Sequence, residues 1–407
     1  MNWPHRVVVT GTGVVSPVGL DTRTYWASLK EGKSGIGVPT AISPDLLNKE
    51  VVAEIKDFEP LKHFSERELS PLDRVSQFAV VAAREAVAES GLPLDKNGLT
   101  ERTAAIIGTG IGGSATLDDA YKRLYRDNAT RIYPLTIPKL MPNAPASQVS
   151  MHIGVRGPSF GVVSACSSAT HAIGLAFHMV RAGVAEAAVA GGTEACLTLG
   201  TLKAWEALRV MAPDACRPFS RDRKGLVVGE GAGVLVLETL EGAKARGANI
   251  LGEIVGFGMT ADADDLTNPD EGGMARAITN CLNDGALTPE VIDYVNAHGT
   301  GTLANDLTET KALKTALGEH AKHIPASSTK SMVGHALGAG GALEFIATLY
   351  AIRDNIAPPT ISYLGPDPAC DLDCVPNEAR PMKIDTAISN SFAFGGLNAV
   401  LAAKRFN

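Results

Sequence analysis

One cysteine, two histidines and a lysine carry the features in this 407-residue chain that could do chemistry. Cys166 stands in Val163-Ser164-Ala165-Cys166-Ser167-Ser168, where an apolar β-type run over 160–163 gives way to small residues. An apolar helical segment follows, from about Ala169 to Ala182, and Gly183 is placed to stop it. A thiol at the start of a buried helix meets unpaired amides and the positive end of the helix dipole, with Ser167 or Ser168 available as cap. That setting favours thiolate and predicts a nucleophile near neutral pH. A free cysteine is also a common small core residue, so the thiol alone does not decide. A cysteine nucleophile needs a neighbour to manage protons or charge, and histidine is the usual one. His298, Lys330 and His335 sit at strand ends in the second half, where open α/β sheets present their ligands. Taken singly, each histidine is as readily a satisfied core residue, and Lys330 a surface charge.

Bringing these groups together requires strands and helices in alternation. The first half reads as a strand over Arg6–Val15, a helix over Thr22–Lys30, an amphipathic helix over Ser76–Ser90 ended by Gly91-Leu92-Pro93, and a strand over Thr103–Gly108. A long insertion spans 114–150, and strands follow at Ala187–Ala190 and Gly233–Glu238. The second half reads as a strand over Ile250–Met259, a helix near Met274–Asp284, a strand at Tyr294–Asn296 and a helix over Asp306–Leu317. A glycine-broken helix then runs to Ile352, and strands lie around Asn390 and Ala399–Leu401. Such alternation predicts α/β layers. Ser-Ala-Thr-His171-Ala-Ile-Gly echoes Met-Val-Gly-His335-Ala-Leu-Gly at an offset of 164 residues, and the same offset carries Cys166 onto Lys330. A second echo pairs Ile-Ile-Gly108-Thr-Gly-Ile with Ala-His298-Gly-Thr-Gly-Thr. Short glycine-rich turns also match by chance, yet two echoes predict two halves of one fold, 1–250 and 251–407, facing each other.

Composition narrows the partners. A net charge of −7 with pI near 5.8 argues against nucleic acid, while 45% apolar residues supply a sizeable core. The six cysteines contain no Cys-x-x-Cys pair, which points to reduced thiols in the cytoplasm and gives no zinc site. The stretch from Met1 to Arg6 passes into a strand without an apolar leader. The most apolar run, 172–193, is broken by His178, Arg181 and Glu186, so no membrane span is expected.

Ala-Cys166-Ser-Ser, Asn296-Ala-His298-Gly-Thr-Gly-Thr, Ser328-Thr-Lys330-Ser-Met-Val-Gly-His335 and Asn390-Ser-Phe392-Ala-Phe394-Gly-Gly-Leu-Asn closely resemble the β-ketoacyl-acyl carrier protein synthases of Cys-His-His type. The resemblance covers essentially the whole chain. It is nearest to the elongating synthase II branch, and within that to the rhizobial nodulation-type ketosynthases, on Lys203-Ala-Trp-Glu-Ala, Ala212-Pro-Asp-Ala-Cys-Arg-Pro-Phe-Ser and Gly299-Thr-Gly-Thr. It implies a duplicated five-layer α/β/α/β/α thiolase-like fold, a homodimer, and condensation of acyl- and malonyl-acyl carrier protein through an acyl-Cys166 thioester. In that scheme His298 and His335 stabilise the enolate, Lys330 supports them with Glu309 and Glu344 as carboxylate partners, and amides of Cys166 and Phe394 hold the oxyanion beside Phe392. Thr300 and Thr302 resemble the hydroxyls that bind the phosphopantetheine arm, and no further cofactor or metal is implied.

The family's gate usually reads Gly-Phe-Gly-Gly-Thr-Asn, and here it reads Ala393-Phe394-Gly395-Gly396-Leu397-Asn398, which predicts altered acyl selectivity or gating. Gly108-x-Gly110-x-x-Gly113 fits a dinucleotide fingerprint but lacks the acidic residue about 20 positions on. His152, His171 and His178 read as packing residues, and His320 and His323 as a solvated helix end. Lys62, Arg67, Arg74 and Arg209 are candidates for a basic rim facing an acidic carrier protein. Two alternatives of other classes are a chain-length-determining or heterodimer partner subunit, which usually lacks the cysteine, and a degradative thiolase, which carries a second cysteine where Phe392-Ala-Phe394 stands. A specialised polyketide or polyene ketosynthase shares the leading chemistry.

Overall fold

The computed structural model describes residues 3–48, 51–94 and 98–407, so Met1 and Asn2, where the stretch read for a leader begins, lie outside it. Twelve strands occur among the described residues: β1 (Val7–Val15), β2 (Thr103–Gly108), β3 (Ser159–Val162), β4 (Ala187–Glu194), β5 (Gly231–Thr239), β6 (Gly252–Ala261), β7 (Tyr294–Asn296), β8 (Ala326–Ser327), β9 (Ile356–Ala357), β10 (Arg380–Pro381), β11 (Thr386–Ala393) and β12 (Leu397–Lys404). Ten of them hydrogen-bond in the order β3-β2-β4-β5-β1-β6-β12-β11-β7-β8, while β9 and β10 pair separately. The order reads alike from either end. β2 is parallel to β3 and β4 on one side as β7 is to β8 and β11 on the other, and in each half the remaining pairs are antiparallel. The two sets meet where Val7–Val9 pairs antiparallel with Gly252–Ile254.

Five layers result, as in the thiolase-like fold. The helix Arg74–Ser90 covers β1, β4 and β5 from outside. Asp73 starts it by accepting the Val75 amide at 2.9 Å, and Gly91 ends it at φ 60°. Its alanines let it lie close to the glycine-containing β1, and it begins two residues before the sequence expectation. The helices Ser168–Arg181 and Gly340–Asp354 pack on each other and on strands of both sets, forming the central layer. Ile173, Phe177, Leu343, Phe345 and Ile346 belong to its fully enclosed core. The helices Glu271–Asp284 and Leu303–Leu317 form the other outer layer.

The expected glycine-broken helix is continuous from Gly340 to Asp354. Its glycines serve packing instead: a Cβ on Gly341 would overlap the Thr170 hydroxyl of the neighbouring central helix. None of the helices among the described residues is long and apolar enough to cross a membrane.

Candidate active site

Cys166 follows β3 in the tight turn Ala165–Ser167, immediately ahead of the helix Ser168–Arg181. Neither serine caps as expected. The Ser168 hydroxyl accepts the Ser164 amide at 2.9 Å and donates to Ala165 O at 2.7 Å, while the Ser167 hydroxyl donates to Ser164 O at 2.8 Å. These bonds hold Ala165 at φ 50°, in the left-handed region, and aim the next side chain into the molecule. The sulfur faces two backbone amides, those of Phe394 and of Cys166 itself.

His298 comes from the loop after β7. Glu309 fixes that loop by accepting the His298 amide at 2.8 Å and the Gly299 amide at 2.7 Å, with Asn390 Nδ2 at 3.2 Å. Lys330 and His335 come from the segment after β8, the position equivalent to Cys166 after β3. Gly334 turns the chain at φ 67°, and the His335 amide donates to Val227 O at 2.6 Å.

The imidazoles of His298 and His335 lie 5.3 Å apart between centroids, at 84°. Lys330 Nζ donates to His298 O at 2.6 Å, lies 3.2 Å from His298 Nδ1, and forms an ion pair with Glu344. An ammonium facing Nδ1 leaves the proton of a neutral His298 on Nε2. Of the two carboxylates expected as partners of Lys330, Glu344 pairs with it directly, whereas Glu309 accepts the amides of the His298 loop.

Burial governs the electrostatics here: His298, Lys330, His335 and Glu344 are each at most 2% exposed. His298 is held well below the usual imidazole range by burial, then by Lys330 and His335, and His335 by burial and Lys330. Both rings are therefore neutral donors. Burial also reverses the expectation for the thiol. It pushes Cys166 up to about 11, against the smaller pull of Lys330 and of the Phe394 amide. The helix start that suggested a thiolate is present, but the desolvation of sulfur outweighs it.

A pocket joins these groups to the surface. Cys166, His298, His335, Phe392 and Phe394 line it, with Thr300 and Thr302 nearer Asn305 and Ala304. The two threonine hydroxyls are 2.9 Å apart, and Thr302 also accepts the Asn305 amide at 3.3 Å to start the helix Leu303–Leu317. Phe392 lies 6.1 Å from the His298 ring. Phe394 sits in the turn between β11 and β12 and stacks on Trp205 at 6.0 Å and 26°. Trp205, Asn305 and the loop 265–269 also line the pocket and were not singled out as site residues in the sequence. Trp205 was visible only inside Lys203-Ala-Trp-Glu-Ala; the loop carries no motif.

Several other expectations resolve. His171 bonds to Ser164 Oγ at 2.9 Å, His178 to Arg181 at 2.8 Å and His152 to Arg84 at 2.9 Å, all as packing groups. Arg74 leaves the basic rim: it is tied to Glu230 at 2.7 and 2.9 Å and to Ile55 O at 2.9 Å. Arg209 ends the helix Leu199–Leu208, next to the pocket residue Val210. In the dinucleotide-like stretch, the Gly110 amide that would cradle a phosphate donates to Glu194 at 2.7 Å.

Comparison with known proteins agrees with this geometry. Family models described as the Beta-ketoacyl synthase N-terminal and C-terminal domains match residues 5–243 and 251–364. The chain is 48% identical over 401 residues to Nodulation protein E of Rhizobium sp. (strain N33), covering 98% of this chain and 99% of that protein. It is 44% identical over 414 residues to 3-oxoacyl-[acyl-carrier-protein] synthase 2 of Staphylococcus aureus (strain COL), covering 100% of both. Among solved structures, the ishigamide ketosynthase/chain length factor matches with a TM-score of 0.94 at 35% identity, over 99% of this chain and 100% of that one.

Proposed function

The chain belongs to the β-ketoacyl synthase family of condensing acyltransferases, and from that premise we propose how its own residues divide the reaction. The observation that carries the proposal is the meeting of Cys166 with two neutral imidazoles in one pocket, with the Lys330–Glu344 pair behind His298. An acyl-carrier protein delivers its thioester, the Cys166 sulfur attacks the carbonyl, and the carrier's phosphopantetheine thiol leaves with the proton. The amides of Cys166 and Phe394 hold the oxyanion, a role for which one donor is worth roughly 10²–10³ in rate. Malonyl-carrier protein then binds along Thr300 and Thr302. Loss of CO2 from its malonyl group leaves an enolate, and His298 and His335 donate hydrogen bonds to its oxygen. The enolate carbon attacks the Cys166 thioester, releasing the thiolate and a 3-oxoacyl-carrier protein two carbons longer. Lys330 fixes the His298 tautomer; Glu309 shapes the loop that presents His298.

In this reading 1–250 and 251–407 are the two halves, one bringing the nucleophile and the other the histidines and lysine. The enzyme works as a cytoplasmic homodimer with acyl carrier protein as partner, and needs no cofactor beyond the carrier's phosphopantetheine. The test is intact-protein mass spectrometry with a panel of acyl-carrier proteins, followed by malonyl-carrier protein, with Cys166→Ala as control. An acyl adduct on Cys166 that disappears as 3-oxoacyl product forms is the expected result. Absence of any adduct would sink it and favour the second reading, a partner or chain-length subunit, which the likeness to a ketosynthase/chain length factor structure raises.

A further inference from the structure

Glu194, the last residue of β4, is fully buried and takes no part in the chemistry proposed for Cys166 and the histidines. Its carboxylate is nonetheless surrounded by donors. One oxygen accepts the amides of Gly110 at 2.7 Å and Gly338 at 3.0 Å. The other accepts the Ile111 amide at 3.3 Å and the Thr109 hydroxyl at 3.2 Å. Three of these partners are amides that can only donate, and the Thr109 hydroxyl, which accepts the Gly112 amide at 3.1 Å, has its own O–H free to donate, so the donor set suits the charged form.

Those partners belong to different halves. Thr109–Ile111 follows β2, whereas Gly338 lies in the turn Leu337–Ala339, three residues beyond His335. The two loops press together so closely that a Cβ on Gly338 would overlap the Gly110 amide. The first loop reaches the nucleophile's turn, because the Ser168 hydroxyl also lies 3.2 Å from Thr109 O. The second shares the apolar cluster of Cys166 through Leu337, which is held at φ 42° in the left-handed region. Glu309 supplies the matching arrangement after β7, the counterpart of β2 in the strand order, where it holds two successive amides of the His298 loop.

We propose that Glu194 is a positioning residue for condensation: its carboxylate clamps the loop after β2 to the turn after His335 and thereby sets Cys166 against the two histidines. The proposal rests on the division of roles given above for Cys166, His298 and His335. Burial raises Glu194 to about 7 despite its donors. The charges and titratable groups facing Cys166 are Lys330, Glu194 and the buried thiol of Cys196, with His298 and His335 across the pocket. Of these, Glu194 makes the thiol harder to ionise.

Two substitutions separate the clamp from its charge. Glu194→Gln removes the charge and turns one acceptor into a donor, whereas Glu194→Asp keeps the charge and shortens the reach. For both, the measurements are condensation kcat, malonyl-carrier protein decarboxylation without acyl donor, and the pH dependence of Cys166 alkylation by iodoacetamide. Both variants should lose at least tenfold in condensation while decarboxylation stays within threefold of wild type. Glu194→Gln should also shift the alkylation profile to lower pH, and Glu194→Asp should leave it in place. Condensation within twofold of wild type in either folded variant overturns the clamp. Parallel loss of decarboxylation and condensation, or failure of both variants to fold, overturns it in favour of a purely structural role. If wild-type protein forms no acyl adduct, the condensation reading falls and takes this proposal with it. A condensing wild type beside an unaffected Glu194→Gln refutes the clamp alone.

Discussion

Alkylation of Cys166 by iodoacetamide should accelerate by close to tenfold per pH unit from pH 7 to 10 and show no plateau. Burial raises the thiol from an ordinary value of 9.0 to about 11. At pH 8 that leaves about one thiolate in a thousand, against about one in ten for an exposed cysteine, so the reaction is about 100-fold slower before access is counted. Because the folded state holds this proton more tightly than the unfolded chain, the thiol's contribution to stability is fully present below pH 9 and is lost as pH rises towards 11. Lys330 lowers the thiol's value, so Lys330→Met should slow alkylation at pH 9. Peptide mapping after timed quenching isolates Cys166 from the five other cysteines, all of them buried. A plateau by pH 8, or faster alkylation in Lys330→Met, would refute the reasoning and restore the helix dipole as the dominant influence. If the slope holds, the thiol gives up its proton during acyl transfer and not before it.

Lys330→Met should also cut condensation by about 10- to 100-fold, the worth of a charge-assisted hydrogen bond of about 1.5–3 kcal/mol, and CO2 release without acyl donor should fall with it. Undiminished CO2 release would remove Lys330 from the support of His298. Gly108→Ala places a Cβ against the Ser168 backbone at the start of the Cys166 helix. Overpacking there should cost about 1–3 kcal/mol by chemical denaturation and reduce Cys166 acylation, and wild-type values for both would show that the helix start can yield. Ala393 and Leu397 face each other across the β11–β12 hairpin and share the apolar cluster of Cys166. Reverting them together, Ala393→Gly with Leu397→Thr, should shift the acyl chain-length profile measured by competition among acyl-carrier proteins, and an unchanged profile would sink the gating idea.

Much of the scaffold was legible because it is written locally. The run Val7-Val8-Val9, the alanine-rich face of Arg74–Ser90 and the stop at Gly91 each depend on neighbours a few residues away. The 164-residue echo went further, since Cys166 and Lys330 do occupy equivalent places after β3 and β8. Residue type and spacing made Cys166, His298, Lys330 and His335 candidates, the family motifs around them gave them roles, and the fold brings the four together. What the sequence could not set was the environment around them. The thiol is pushed towards its neutral form because the fold buries it in a cluster completed by residues more than 150 positions downstream, Leu337 and Ala393 among them. Glu309 binds the His298 and Gly299 amides instead of pairing with Lys330, and Arg74, though still partly exposed, is tied up by Glu230. Glu194 carries no motif, and its partners at 109–111 and 338 are distant in sequence from it and from each other. Local pattern fixes which face of an element is apolar. Desolvation and the sharing of hydrogen-bond donors depend on what arrives from elsewhere in the chain, and only the packed tertiary structure decides that.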